Sequence, residues 1–252
     1  MERVTDHATT SLPPALSRAM ELLADPPAHP DVSRGYLDLL ANRPATADSP
    51  PRNTGFIQSV WASGPGSLFY DNAQALARKV AGAWQLPIDW LNIPRGGVAL
   101  DVGSGPGNVT ASLARAAGPD GLAVGVDISE PMLARAVSAH AGPNVGFLRA
   151  DAQELPLRDE TVDAAVSLAV LQLIPNPATT VAEIARVLKP GGRVALMVPT
   201  AGRGGQLLRR LPHGGVHFFG EDEIGDLFEE VGLVGVRTKT LGNIQWVRGR
   251  KP

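Results

Sequence analysis

Cysteine is absent from the chain. That removes disulfides, thiolate metal sites and every mechanism that runs through a cysteine nucleophile. Charge is scarce as well: charged residues make up 19% of the 252, and the formal net charge is -2. Local basic groups at Arg203, Arg209 and Arg210 and at Arg248, Arg250 and Lys251 read as solvated surface, so no nucleic-acid partner is expected. Long apolar runs are missing too. The longest, Ala165 to Ile174, is interrupted by Ser167 and Gln172 and is far too short to cross a bilayer. At the N-terminus, Met1-Glu2-Arg3-Val4-Thr5-Asp6 shows no basic stretch followed by an apolar one. A cytoplasmic protein without membrane insertion is the expectation.

What is present suits an ordinary folded domain. Apolar residues reach 44%, and a chain of this length can bury one large core. Proline and polar residues crowd the first part, as in Pro13-Pro14, Pro26-Pro27 and Pro50-Pro51. Residues 1–66 are therefore read as an N-terminal cap or arm, partly free to move, and residues 67–252 as the main domain. Two short helices are expected in the arm. One aligns Leu16, Ala19, Met20 and Leu23; the other aligns Val32, Tyr36, Leu39 and Leu40.

Beyond Tyr70 the pattern becomes regular. Asp71 with Gln74 resembles a capping box before an apolar stripe ending at Trp84. Strands are then predicted at 97–102, 121–126, 145–149, 162–168 and 193–198, separated by helices. One helix runs to Ala117, one is capped by Ser129, and one begins at Asn176-Pro177. Such spacing implies right-handed βαβ units and a parallel sheet covered on both faces. A helix on Ile224, Leu227, Phe228 and Val231, closed by Gly232, precedes two last strands, 234–240 and 244–247. Their link, Leu241-Gly242-Asn243, is too short for a crossover, so they must be antiparallel. The predicted fold is α/β: a doubly wound, Rossmann-like, seven-stranded sheet, mostly parallel, with a C-terminal antiparallel hairpin and a short helical cap.

The sharpest local signal is Asp101-Val102-Gly103-Ser104-Gly105-Pro106-Gly107. A glycine turn at the end of the first strand lets backbone approach a ligand closely. The glycines fall as GxGxG, not as the GxGxxG that seats a pyrophosphate. Asp101 would repel phosphate but suits an ammonium or sulfonium charge. Asp127 ends the next strand, where a carboxylate can take both ribose hydroxyls. Asp151 closes the third, beside Ala152, where it could accept from an exocyclic amine such as that of adenine. Each acid alone could be a turn residue; three in register with the loop argue for a cationic nucleoside.

At these residues the chain resembles the class I S-adenosylmethionine-dependent methyltransferases, specifically the broad small-molecule group. The likeness spans about residues 70–250. Leu100 to Gly107 looks like the family's first motif, Gly125 to Leu133 its ribose motif and Arg149 to Ala152 its adenine motif. Val162 to Ser167 and Arg186 to Val194 are similar to its fourth and fifth strand segments. The resemblance implies S-adenosyl-L-methionine as cofactor, with S-adenosyl-L-homocysteine as product. Asp101, Gly103, Ser104, Gly105 and Gly107 would hold the methionine end and Asp127 the ribose. Ile128 would pack against the adenine, Asp151 and Ala152 would fix its amine edge, and Met132 and Ser167 would be further cofactor contacts. No metal is implied, and methyl transfer would be an in-line displacement.

Exclusions narrow the acceptor. Without cysteine, the usual cytosine C5 and arsenic chemistries are closed. After the fourth strand stands Ser167-Leu168-Ala169-Val170, not the Asn-Pro-Pro-Tyr-like segment of exocyclic-amine methyltransferases, nor the acidic cluster of Mg-dependent catechol-type enzymes. Signature segments of quinone C-methylating relatives are not evident. A small aromatic or lipophilic acceptor is expected, lined by candidates Trp61, Phe69, Tyr70, Leu207, Leu208, Phe218 and Phe219. His217 or His213 could serve as base, with Tyr70 orienting. Two alternatives stand beside this reading: a non-catalytic cofactor-binding partner protein, since no base is obvious, and a nicotinamide-dependent dehydrogenase, opposed by the loop spacing, Asp101 and the hairpin. The oligomeric state is left open.

Overall fold

A computed structural model describes residues 12–41, 88–200, 217 and 219–252. The expected capping box at Asp71 and its helix lie outside them. The described strands are β1 (Leu37–Asp38), β2 (Val98–Val102), β3 (Leu122–Asp127), β4 (Val145–Arg149), β5 (Val162–Leu168), β6 (Leu188–Pro199), β7 (Val234–Leu241) and β8 (Ile244–Arg250). The helices are α1 (Pro14–Met20), α2 (Ile88–Leu91), α3 (Asn108–Ala117), α4 (Glu130–His140), α5 (Pro177–Val187) and α6 (Glu223–Glu230). The sheet order is β1-β4-β3-β2-β5-β6-β8-β7, parallel throughout except that β8 runs against both neighbours.

Alternation along the strands divides the interior in two. On β2, Leu100 and Val102 face one core with α1, α5 and α6, while Ala99 faces a second with α2, α3 and α4. Leu122, Val124 and Val126 of β3 and Ala123 between them divide the same way. Both faces are covered, so the strands read as near-continuous apolar runs. At the far end Gly232 takes φ +82 and its N–H bonds Glu229 O at 3.0 Å, which stops α6. Gly242, at φ +60, turns the β7–β8 hairpin, with Leu241 opposite Ile244.

Beneath the sheet, Asp163 ties three segments together. Its carboxylate accepts the Val98 amide at 2.8 Å and takes Lys189 Nζ at 2.9 Å on each oxygen. The Leu-Lys-Pro-Gly-Gly entry into β6 is therefore also a clamp on the start of β2.

Two expectations are corrected. The sheet has eight strands rather than seven, because the arm adds β1. The expected helix on Val32, Tyr36, Leu39 and Leu40 does not form. Asp31 instead accepts the Ser33 amide and hydroxyl at 3.1 and 2.7 Å, and Gly35 adopts φ +81 with its N–H on Val32 O. That local turn consumes the bonds a helix would need, and Leu37 then exits to pair with Leu148. A third detail differs: Ser129 occupies the N-cap of α4, yet its hydroxyl makes no capping bond. Asn176, by contrast, caps α5 by accepting from the Thr179 amide.

Candidate functional site

Strand order reverses between β2 and β5, since the chain runs outward through β3 and β4 before returning. A crevice opens at the carboxyl ends of strands at such a point. Pairing of β2 with β5 ends at Asp101 opposite Val166. One residue further on, the Ser167 hydroxyl donates to Val102 O at 2.9 Å, taking the place of a ladder bond. Ser167 thus fixes the parting of the strands, and its proton is spent on the sheet.

The lips of the crevice are the loop after β2 and the segment after β5. Ala169 takes a left-handed φ of 55, unusual for a residue with a side chain, and leads into a short 3-10 turn at Leu171–Leu173. Val170 then lies on the glycine loop: a Cβ built at Gly103 would meet its Cγ2 at 2.2 Å. Gly107, at φ +83, is equally constrained, with Phe147 Cζ only 2.8 Å from a built Cβ. Gly107→Ala is expected to cost about 2 kcal/mol or more, from backbone strain plus overpacking, read as a lower urea midpoint at unchanged m-value.

Within that loop no amide is left over. Gly103 N and Ser104 N both donate to Val126 O at 2.8 and 3.0 Å, and Gly107 N donates to Ser104 O at 2.9 Å. Gly105 N donates to Asp127 Oδ2 at 2.8 Å, and Pro106 has no N–H. A pyrophosphate seat needs free backbone donors, so this loop is not a dinucleotide cradle. Ser104 is also turned inward: its Cβ sits 2.9 Å from a Cβ built on Gly125, and its buried hydroxyl has no partner among the described residues.

Asp101 is the chemically unusual group. It is 1% exposed, and the Thr110 hydroxyl donates to its Oδ2 at 2.6 Å. Burial pushes its carboxyl up to about 7; Thr110 opposes that shift and the nearby Asp127 adds to it. Among the described residues, no Lys or Arg is one of the charges that act on it. A buried carboxylate without a counter-cation is costly, and a ligand's ammonium would supply one, so the residues here fit a cationic amino-acid tail. Asp127 is part-buried, with Oδ1 accepting Ser129 N at 2.8 Å and Oδ2 accepting Gly105 N. Its carboxyl is raised by burial, against the pull of those backbone donors. Asp151, at the end of β4, accepts the Gln153 amide on Oδ1 at 2.9 Å. The remaining expected contacts surround these acids: Met132 is buried on α4, Ile128 follows Asp127, and Ala152 packs at the core edge.

The acceptor side is only partly described. Tyr70, His213, Trp61, Phe69, Leu207, Leu208 and Phe218 lie outside the described residues. Phe219 is fully buried in the core, so it packs rather than lines a pocket. His217 stands at a cleft of about 370 Å³ between the start of α5 and helix α6, with Asn176, Glu223 and Leu227 among its walls. Its amide donates to Gln172 O at 2.8 Å, its Nε2 meets Glu223 Oε1 at 2.7 Å, and its ring contacts Phe219 edge-on. Thr110 was not singled out from sequence, although it stands one turn after the glycine loop on the helix that loop opens.

Known proteins agree with this geometry. Residues 100–196 match the model of a methyltransferase domain. A demethylmenaquinone methyltransferase of Staphylococcus aureus is 30% identical over 177 residues, covering 60% of this chain and 73% of that protein. One from Bacillus licheniformis is 38% identical over 108 residues, covering 42% of this chain and 47%, about half, of its own length. A solved S-adenosylmethionine-dependent methyltransferase from Aquifex aeolicus superposes with a TM-score of 0.53 at 25% identity, covering 64% of this chain and 86% of that one. With the switch-point crevice, the saturated glycine loop and the strand-end acids, these likenesses place the chain in the class I S-adenosylmethionine-dependent methyltransferases.

Proposed function

We propose that the chain methylates a small aromatic or lipophilic acceptor, with a reduced, demethylated quinone ring as the first candidate. The observation that carries this is the 30% identity to a demethylmenaquinone methyltransferase across 177 residues, 73% of that protein. The absence of quinone-type signature segments leaves the ring itself the point to test. S-adenosylmethionine, when bound, supplies a methyl already activated on a sulfonium. The protein's own task is alignment and exclusion of water. Asp101 holds the ammonium, and Asp127 and Asp151 hold the nucleoside. An acceptor nucleophile attacks the methyl carbon as the carbon–sulfur pair returns to sulfur, and the acceptor's proton goes to a base.

His217 is the described candidate for that base. Glu223 fixes its Nε2 and so orients the imidazole, the base-and-orienter arrangement of general-base sites. Incubation with S-adenosylmethionine and a panel headed by 1,4-naphthalenediol should yield S-adenosylhomocysteine and an acceptor heavier by one CH2, detected by mass spectrometry. His217→Gln should lower kcat by about a hundredfold on hydroxylated acceptors while leaving cofactor affinity unchanged. If the panel gives no S-adenosylhomocysteine while the protein binds it, the aromatic-acceptor reading fails.

A further inference from the structure

Among the described residues, the arm meets the domain at β1 through a closed ring of alternating charge. Strand β1 lies beside β4 with Asp38 opposite Arg149. Asp38 Oδ2 accepts from Arg34 Nη2 at 2.6 Å and from Arg149 Nη1 at 3.1 Å. Glu130, the first residue of α4, closes the ring by accepting from Arg149 Nη2 at 3.0 Å and from Arg34 Nη1. The Asp38 side chain is 1% exposed. Its Oδ1 is also in use, accepting the Leu40 and Ala41 amides at 3.0 Å each.

These pairs are not equal. Arg34 and Glu130 are both more than 40% exposed, and such surface pairs contribute little. Asp38 and Arg149 are a buried carboxylate and a planar guanidinium, where loss of one partner strands the other. Arg149 also reaches the turn after β3: its Nε donates to Ile128 O at 3.4 Å. One guanidinium therefore touches the arm, the turn from Asp127 to Glu130, and the strand that ends two residues before Asp151.

We infer that Asp38 and Arg149 are positioning residues for the cofactor's nucleoside. Through this pair the arm fixes the turn bearing Asp127 and Ile128, which makes β1 a working part of the cofactor site. The inference rests on Asp127 and Ile128 being nucleoside contacts. Asp38→Asn keeps an acceptor for the Leu40 and Ala41 amides while removing the charge that holds Arg149.

Calorimetric titration of the full chain tests this with S-adenosylhomocysteine and with adenosine, which lacks the amino-acid tail. Asp38→Asn and Arg149→Gln should each weaken both ligands by about tenfold, and the double variant should lose about tenfold rather than a hundredfold, because the two act as one unit. A merely structural role would lower the Tm but leave the Kd of the folded protein within twofold, and that result overturns the inference. So would multiplicative losses, or a loss for S-adenosylhomocysteine without one for adenosine. Should Asp38→Asn fail to fold, Arg149→Gln alone decides by the same twofold limit. Unchanged binding by Asp127→Ala would sink the underlying nucleoside assignment instead.

Discussion

At pH 8 the Asp101→Asn protein is expected to melt higher than the parent and to lose most of its affinity for S-adenosylmethionine. The two effects share one cause. A carboxyl that ordinarily titrates at 3.8 is pushed to about 7 by burial, so the folded state keeps its proton where the unfolded chain has released it. The stability this group contributes is fully present below pH 3.8 and is lost as the pH rises through 7. Above that, the ionised Asp101 costs the free protein roughly 4 kcal/mol. The substituted amide would still accept from Thr110 and carries no charge, so the free protein should gain about 5 °C or more in Tm at pH 8 and roughly a third as much at pH 5, where only the unfolded chain has released the proton. Binding moves the other way. The ammonium needs the ionised form, so parental affinity should fall by up to about tenfold per pH unit below 7, and the variant should show a flat, weak profile. Equal melting of both proteins at pH 8 would contradict the account.

Asp127→Ala should shrink the thermal shift that S-adenosylhomocysteine gives the parent to about a third or less. That shift corresponds to about 4 kcal/mol at a thousandfold excess over Kd. Two losses combine. The Gly105 and Ser129 amides lose their acceptors, at about 1–3 kcal/mol each if they stay buried, and ribose hydroxyls lose theirs. Because Gly105 is bonded directly to Asp127, the variant loosens the glycine loop as well as the ribose side. Affinity should therefore drop by at least about a hundredfold, measured by titration well below the variant's own Tm. A variant that shifts with ligand as much as the parent would disprove the placement of the ribose.

Most of this architecture was readable because period and punctuation agree. All seven predicted strands are present, β4 and β5 to the residue, since short apolar runs set between turn and helix signals leave little room for a different register. The hairpin followed from the length of one link. The arm resisted, because its helical spacing at Val32, Tyr36 and Leu39 competes with an Asp31 turn whose strength depends on side-chain bonds rather than on pattern. The roles of the small polar residues were legible only in part. Nothing in the order of residues shows that Ser167 serves the sheet, that Ser104 turns inward, or that Thr110 and Asp101 meet across the glycine loop. Asp38 is an ordinary acid in sequence, and only the pairing of β1 with β4 brings it to Arg149.

The loop whose amides are all spoken for has a consequence for competition among ligands. Adenosine phosphates share the ribose and base of the cofactor and are abundant wherever such a chain works. Occupying this crevice would set their anionic tail beside Asp101 and against a loop, Gly103 to Gly107, whose amides are already bonded. With Asp101 at the ligand's tail, discrimination against them would follow from the resting shape of the turn alone, with no closing motion to enforce it.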